Sequence, residues 1–510
     1  MKNRVLILAV LLLMSLGAAQ AAELKLAAVF SDHMVLQRDK AVPIWGWADA
    51  GATVTVEFAG QKKTATADAS GKWLVKLDPL EACAEPREMK VGNIVIHDVL
   101  VGEVWLGSGQ SNMAMSVNRA KDYEKEKTTA TLPLIRMFKE ESKAAASPQP
   151  DGSGKWTVCS SETVGGYSAT LFFFGREVQR ELKVPMGLIN SSVGGTPIES
   201  WVAAEAQAQV PELKNAVVAA PKIPTEAEEA KAKATYEKAL ARWKTMAAKA
   251  KAESQPVPRK PRDPGDKGKR SGGAGGLFNG KIAPLIPYAL RGAVWYQGEA
   301  NSHPGKGALY QFQLAALVGD WRARWSEEFP FAWVQLPNFN RGGDGWSLVR
   351  ESMLKTLRVP KTGMAITIDI GDPGNIHPAN KQEVGHRLSL WALGTVYGQK
   401  VPAISGPLPA GHKVRGGEIA VAFTHAEGGL VAKDGVLQGF LIAGEDKQWK
   451  PAAARIEGDK VIVSSAEVAK PIAVRYAWAA NPVCNLYNGA GLPASPFRTD
   501  DWPVDDTAKP

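Results

Sequence analysis

Residues 103–115, EVWLGSGQSNMAM, constrain the possible fold more than any other stretch of the chain. Val104, Trp105 and Leu106 are apolar in succession, as in a strand covered on both faces, and Gly107 and Gly109 permit a sharp turn after them. Ser111 stands at that bend. From Asn112 onward MAMSVNRA is compatible with a helix. Strand, turn and helix together would hold the hydroxyl at the carboxyl edge of a sheet, where open α/β sheets bind ligands. A helix beginning there would also offer main-chain N–H groups to a developing negative charge. Gly-Ser-Gly is equally ordinary turn chemistry, so a catalytic role for Ser111 depends on partners elsewhere in the chain.

The chain is 510 residues long, which implies several cores. Lys2 and Arg4 precede the apolar run 5–13, and Ala19-Gln20-Ala21 places small residues where a signal peptidase reads. Residues 1–21 therefore predict a cleaved secretory signal. The run is shorter than the roughly 20 residues that span a bilayer, so no stable membrane insertion is expected after cleavage, and a periplasmic or secreted location follows. Residues 22–99 read as an N-terminal β domain of short strands punctuated by turns such as Gly60-Gln61, with a small sandwich or jelly roll as the expected form. Residues 100–400 alternate strands with longer helical segments, which predicts an α/β domain with a parallel sheet. Residues 401–510 return to strands and predict a C-terminal β domain, also jelly-roll or sandwich-like.

The α/β region is interrupted at 217–275 by an insert. In it Tyr236, Leu240, Trp243 and Met246 predict one apolar helical stripe, followed by a basic loop rich in Pro, Gly, Lys and Arg. The formal net charge of +9 is concentrated in this insert and in the amino-terminal segment, and no nucleic-acid recognition motif accompanies it. Cys83, Cys159 and Cys484 are far apart in the sequence, permit at most one disulfide and have no metal-ligand spacing. Neither a metal nor any other cofactor is expected.

Four loops then fall at the ends of expected strands: one with Ser111, one with Gly194-Gly195, one with Gln297 to Asn301 and one with His377. They supply a nucleophile, backbone N–H donors, amide donors and a base, which are the parts acyl transfer needs. The blocks that carry them are GQSNM at 109–113, GGTPIESW at 194–201, LFNGKIAPLIPYALRGAVWYQGEAN at 277–301 and IHPANKQEVGHRL at 376–388. With LAAVFSDHMVLQRD from Leu26 and RYAWAANPVCNLYN from Arg475, they resemble the sialate O-acetylesterase family within the SGNH-type serine hydrolases, over nearly the whole mature chain.

The resemblance implies a flavodoxin-like SGNH domain that removes acetyl esters from carbohydrates without a metal. It implies Ser111 as nucleophile, His377 as general base, and Gly195, Gln297 and Asn301 as oxyanion or substrate contacts. In that superfamily an acid usually stands three residues before the histidine, and here the position is Gly374. Asp372 is the favoured orienting group for His377; Asp369, Asn375 or a main-chain carbonyl are the alternatives. Glu199 and Glu299 are read as structural carboxylates, Arg350 as an ion-pair or ligand residue, and His33, His97, His303 and His386 as packing or surface groups. The expected activity is removal of O-acetyl groups from acetylated sialic acid. Acetylxylan or another polysaccharide is the alternative substrate, and a non-catalytic glycan-binding protein is the alternative of another class.

Overall fold

The computed structural model describes residues 24–214, 226–253, 257–258, 260–261 and 271–504. The expected signal segment lies outside them, as does most of the basic loop of the insert.

The central sheet is built from β1 (Ile94–Gly109), β2 (Leu132–Glu140), β3 (Gly154–Cys159), β4 (Met186–Ser192), β5 (Gly292–Tyr296), β6 (Phe331–Val334) and β7 (Thr362–Ala365), in the order β3-β2-β4-β1-β5-β6-β7. All neighbours are parallel except β3, which runs antiparallel to β2 at one edge. The side-chain alternation of these strands divides two cores. Val104, Leu106, Ala293, Trp295, Phe331 and Trp333 enter one, packed with α3 (Tyr310–Trp325) and α4 (Gly343–Thr356). Trp105, Val294, Tyr296, Ala332 and Val334 enter the other, packed with α2 (Ala169–Leu182) and α5 (Lys381–Trp391). Burial on both faces is why these strands are uninterrupted apolar runs.

β1 is 16 residues long and crosses the position where the sequence places a domain boundary, at 99/100. Its first half pairs with Val35–Gln37 and Cys83–Val91, and its second half lies between β4 and β5. The N-terminal β region and the α/β region thus share one strand and a continuous core. The strands from 408 onward enclose a separate apolar cluster that includes Ile419, Val421, Ile442, Val461 and Tyr476.

That C-terminal region is fastened to the sheet by Arg350, which is fully buried. Its guanidinium donates to the carbonyls of Leu336, Pro337, Ala479 and Ala480 at 2.6–2.9 Å. It makes neither of the contacts expected from the sequence, because main-chain oxygens take all of its bonds.

The helix expected after Ser111 is a single turn, α1 (Ser111–Ala114), after which Met115 turns to extended backbone. The amino end of α2 takes over the carbonyls this leaves. Ser168 Oγ donates to Met113 O, Thr170 Oγ1 to Asn112 O, and Ala169 N to Met115 O. In the insert, helix Glu226–Ala252 partly or fully buries Tyr236, Leu240, Trp243, Ala247 and Ala250, whereas Met246 is 56% exposed. The packed face advances by alternating steps of four and three, and that repeat selects Ala247 where the sequence reading placed Met246. No helix among the described residues is long and apolar enough to cross a membrane.

Candidate active site

The parallel strands deliver their following loops to one rim. Gly109 ends β1 with φ +133°, and a Cβ there would lie 2.2 Å from the carbonyl oxygen of Tyr296. Only glycine allows β1 and β5 to approach this closely at the bend. The loop after β4 closes over the same spot, where a Cβ on Gly194 would touch Ser111 Cβ at 3.4 Å. Next to it, Gly195 adopts φ +75° and faces open space. Among the described residues, neither the Ser111 N–H nor the Gly195 N–H has an intramolecular acceptor.

His377, 266 residues from Ser111 along the chain, places Nε2 2.8 Å from Ser111 Oγ. Both side chains are half-buried, so the pair is formed and open to a ligand. Burial lowers the histidine pKa from its ordinary 6.5, and the positive charges of Arg119 and Lys381 lower it further. The imidazole is therefore a free base at neutral pH, in the form that can accept a proton. Activity that needs this base is lost only as pH falls through the lowered pKa. The acid limb of kcat/KM is accordingly expected to have its midpoint below 6.5, and a pH–rate profile checks this.

None of the side chains that the sequence reading offered as the orienting group bonds the His377 ring. Asp372 is exposed, and its Oδ1 accepts from Gly374 N at 2.9 Å and Asn375 N at 3.2 Å, closing the turn before the histidine. No hydrogen bond or ion pair joins it to His377. Two residues ahead of Gly374, with Pro373 between, its carboxylate is held by local turn N–H groups and so stays short of the ring. Asp369 is held by Arg387 through both carboxylate oxygens and by Tyr487. Asn375 Oδ1 does reach His377, but at its main-chain N–H, 3.0 Å away. Asp372→Asn keeps an oxygen for the turn and is expected to retain kcat within about fivefold, whereas loss of a triad aspartate costs about 10⁴. Steady-state kinetics on the variant decide between the two.

Gln297 and Asn301 also lie apart from the reacting rim. Gln297 Nε2 donates to Asn301 Oδ1, Thr196 O and Gln110 Oε1, and its Oε1 accepts from Tyr310. Asn301 accepts from Ile198 N and donates to Glu199 and Gln313. Both are fully buried with their donors committed, so they brace the loop at 194–201 against that at 297–301 and offer nothing to an oxyanion. Of the three expected contacts, Gly195 alone faces the opening. Glu199 bridges Asn301 and Lys306, consistent with a structural carboxylate.

The sequence reading took Glu299 as a structural carboxylate but passed over Asn112 and Lys381, which form a buried cluster with it beneath the pair. Asn112 Nδ2 donates to Glu299 Oε1 at 2.6 Å and to Ile376 O at 3.0 Å. Lys381 Nζ donates to Asn112 Oδ1 at 2.7 Å and to Pro378 O at 2.8 Å. Burial lowers the Lys381 pKa to about 7 and raises that of Glu299, so each is pushed toward its neutral form. One signal was available: Lys381 opens a helix, where the dipole disfavours a cation.

A hydroxyl–imidazole pair at the carboxyl edge of an α/β sheet, with free N–H groups beside it, is the equipment of a carboxylic ester hydrolase, and the relatives of the chain place it in that class. The profile of the family described as carbohydrate esterase, sialic acid-specific acetylesterase matches residues 101–253 and 281–392, and the chain belongs to that family. It is 30% identical to the rat sialate O-acetylesterase, over 93% of this chain and 94% of that one. Against the human sialate O-acetylesterase it is also 30% identical, covering 93% and 92%. The crystal structure of a carbohydrate acetylesterase from Xanthomonas citri superposes with a TM-score of 0.78 at 35% identity, covering 94% of this chain and all of that one.

Proposed function

We propose that the chain is an exported serine esterase that removes O-acetyl groups from carbohydrates, with acetylated sialic acid as substrate, through an acetyl-serine intermediate. The observation that carries the reading is the 2.8 Å contact between Ser111 Oγ and His377 Nε2. Carbohydrate O-deacetylation itself follows from family membership and from the Xanthomonas citri neighbour. The strand order β4-β1-β5-β6-β7 supports a flavodoxin-like SGNH core, with residues 22–99 and 401–510 as β domains around it. Export to the periplasm or beyond rests on the charge and apolar pattern of residues 1–21.

In the acylation step Ser111 Oγ attacks the acetyl carbonyl carbon while His377 Nε2 takes the hydroxyl proton. The carbonyl oxygen becomes an oxyanion, which the N–H groups of Ser111 and Gly195 receive. Collapse breaks the ester bond, the imidazolium returns its proton to the departing sugar oxygen, and an acetyl ester remains on Ser111. In the second half, His377 deprotonates a water that attacks the acetyl-serine. The second tetrahedral adduct collapses to acetate, and the proton passes back to Ser111 Oγ.

Hydrolysis rates on O-acetylated sialic acid and on acetylated xylan test the substrate. The reading expects turnover of acetylated sialic acid that Ser111→Ala removes. Turnover of xylan with none of sialic acid would move the assignment to a polysaccharide esterase, a reading that the neighbour described only as a carbohydrate acetylesterase keeps in play. If the wild type and Ser111→Ala hydrolysed p-nitrophenyl acetate equally and neither exceeded the protein-free rate, a glycan-binding module would be favoured.

A further inference from the structure

Among the described residues, His377 has no acidic partner of the kind that usually fixes a catalytic imidazole. No carboxylate among the described residues bonds its ring, and its one ring contact is to Ser111. A histidine held by one hydrogen bond on an exposed turn would sample orientations that leave the serine proton without an acceptor. The surrounding backbone supplies the missing constraint, because the carbonyls on either side of the histidine are both tied to buried donors. Ile376 O accepts from Asn112 Nδ2, and Pro378 O accepts from Lys381 Nζ. The two donors are themselves joined by the Lys381 Nζ to Asn112 Oδ1 bond.

Asn112 directly follows the nucleophile in sequence, so this bridge links the serine turn and the histidine turn through three hydrogen bonds. A third loop anchors it from behind, through Glu299 Oε1 on Asn112. Lys381 and Glu299 are among the most buried ionisable groups of the chain, and Glu299 Oε2 has no hydrogen-bond partner among the described residues. Burying such groups without ligand or ion pair is costly, and the side-chain hydrogen bonds they make here are to the serine and histidine loops.

We propose that Lys381, acting with Asn112, is the positioning residue of the site: it fixes the general base through the carbonyls flanking His377, in the role an acidic partner of the imidazole would otherwise have. This rests on the serine-esterase reading. Lys381 acts at a second level through its charge. The charged groups that act on His377 are Arg119 from the turn Val117–Arg119 and Lys381 from α5, while the carboxylate of Asp372 on its own loop is turned to the N–H groups of Gly374 and Asn375; Glu299, Arg119 and the ring of Tyr296 face Lys381. Both cations hold the imidazole in its free form. Below about 7, where Lys381 is charged, removing it takes away one of the two. The acid limb then moves to higher pH, part of the way back to the ordinary histidine value, because the burial of the ring, the larger cause of its lowered pKa, and Arg119 both remain.

The test is steady-state deacetylation by Lys381→Met and Lys381→Gln across the acid limb, with melting temperatures to establish that the variants are folded. Lys381→Met is expected to lower kcat by about a hundredfold, the scale of a displaced catalytic group, with KM held within about twofold and the acid limb moved to higher pH. Lys381→Gln keeps a donor toward Asn112 without the charge. It should show the same displacement of the limb with a smaller loss of kcat, and it carries the test alone if the methionine variant does not fold.

In the pair Asn112→Ala and Lys381→Met, the double variant should lose no more than the worse single one, since both act through one bridge. An unmoved acid limb, a kcat near that of the wild type, or additive losses would each overturn the proposal. The Ser111→Ala control separates this from the underlying reading: activity that needs Ser111 but ignores Lys381 removes the positioning role alone, and activity that ignores Ser111 removes both.

Discussion

Ser111→Ala is expected to lower kcat for ester hydrolysis by about a millionfold, to the residue that binding and oxyanion donors sustain alone. The expectation follows from chemistry that has no substitute at the rim. Ser111 Oγ is the hydroxyl held 2.8 Å from an imidazole kept in its basic form. Ser108, three residues before it in β1, is fully buried. Removing one oxygen from a half-buried side chain leaves the β1–β5 approach and the Gly194 contact in place, so the melting temperature should change little. Loss of activity at unchanged stability therefore reads the chemistry and not the fold. Retention of a tenth or more of the wild-type kcat would mean that another group attacks the ester.

His377→Ala should have an effect of the same order, and the double variant Ser111→Ala/His377→Ala should be no slower than the slower single one within about threefold. The reason is that the two side chains perform one act. Without the imidazole, a serine hydroxyl at neutral pH is a poor nucleophile, and without the hydroxyl the imidazole has no proton to take. Additive losses would show that His377 serves some separate purpose, such as substrate contact, and would detach it from the nucleophile. A kinetic series over the four proteins on one acetylated substrate resolves the two cases.

Much of this site was legible before any coordinates. The apolar run Val104–Leu106 declared itself as a strand leading into a glycine turn, the loops with Gly195, Gln297 and His377 were expected at the ends of further strands, and parallel strands have to deliver such loops to a common rim. Ser111, Gly195 and His377 fall there for that reason.

The misreadings concern what buried polar groups bond to, which residue type and spacing do not encode. Asp372 has the right chemistry to orient a histidine, yet its oxygen is taken by the N–H groups of its own turn. Gln297 and Asn301 are the right kind of donor, yet they spend their N–H groups on the neighbouring loop. Arg350 found four carbonyls in place of an anion because the C-terminal strands bring residues 479–480 against the end of β6. The helix after Ser111 is short because α2 caps its carbonyls, a tertiary contact invisible in a local pattern. Lys381 was overlooked because a lysine in a helix is ordinarily a solvated surface group, and here it is fully buried.

The central claim is that the acetyl group passes through Ser111, and rapid quenching tests it most directly. The protein is mixed with an acetylated sugar, stopped in acid within the first turnovers, digested and examined peptide by peptide by mass spectrometry. The account predicts one acetyl group on the peptide containing Ser111, localised to that side chain and absent from Ser111→Ala. An acetyl group on a different residue, or turnover with no acetylated peptide while Ser111→Ala still releases acetate, would contradict it.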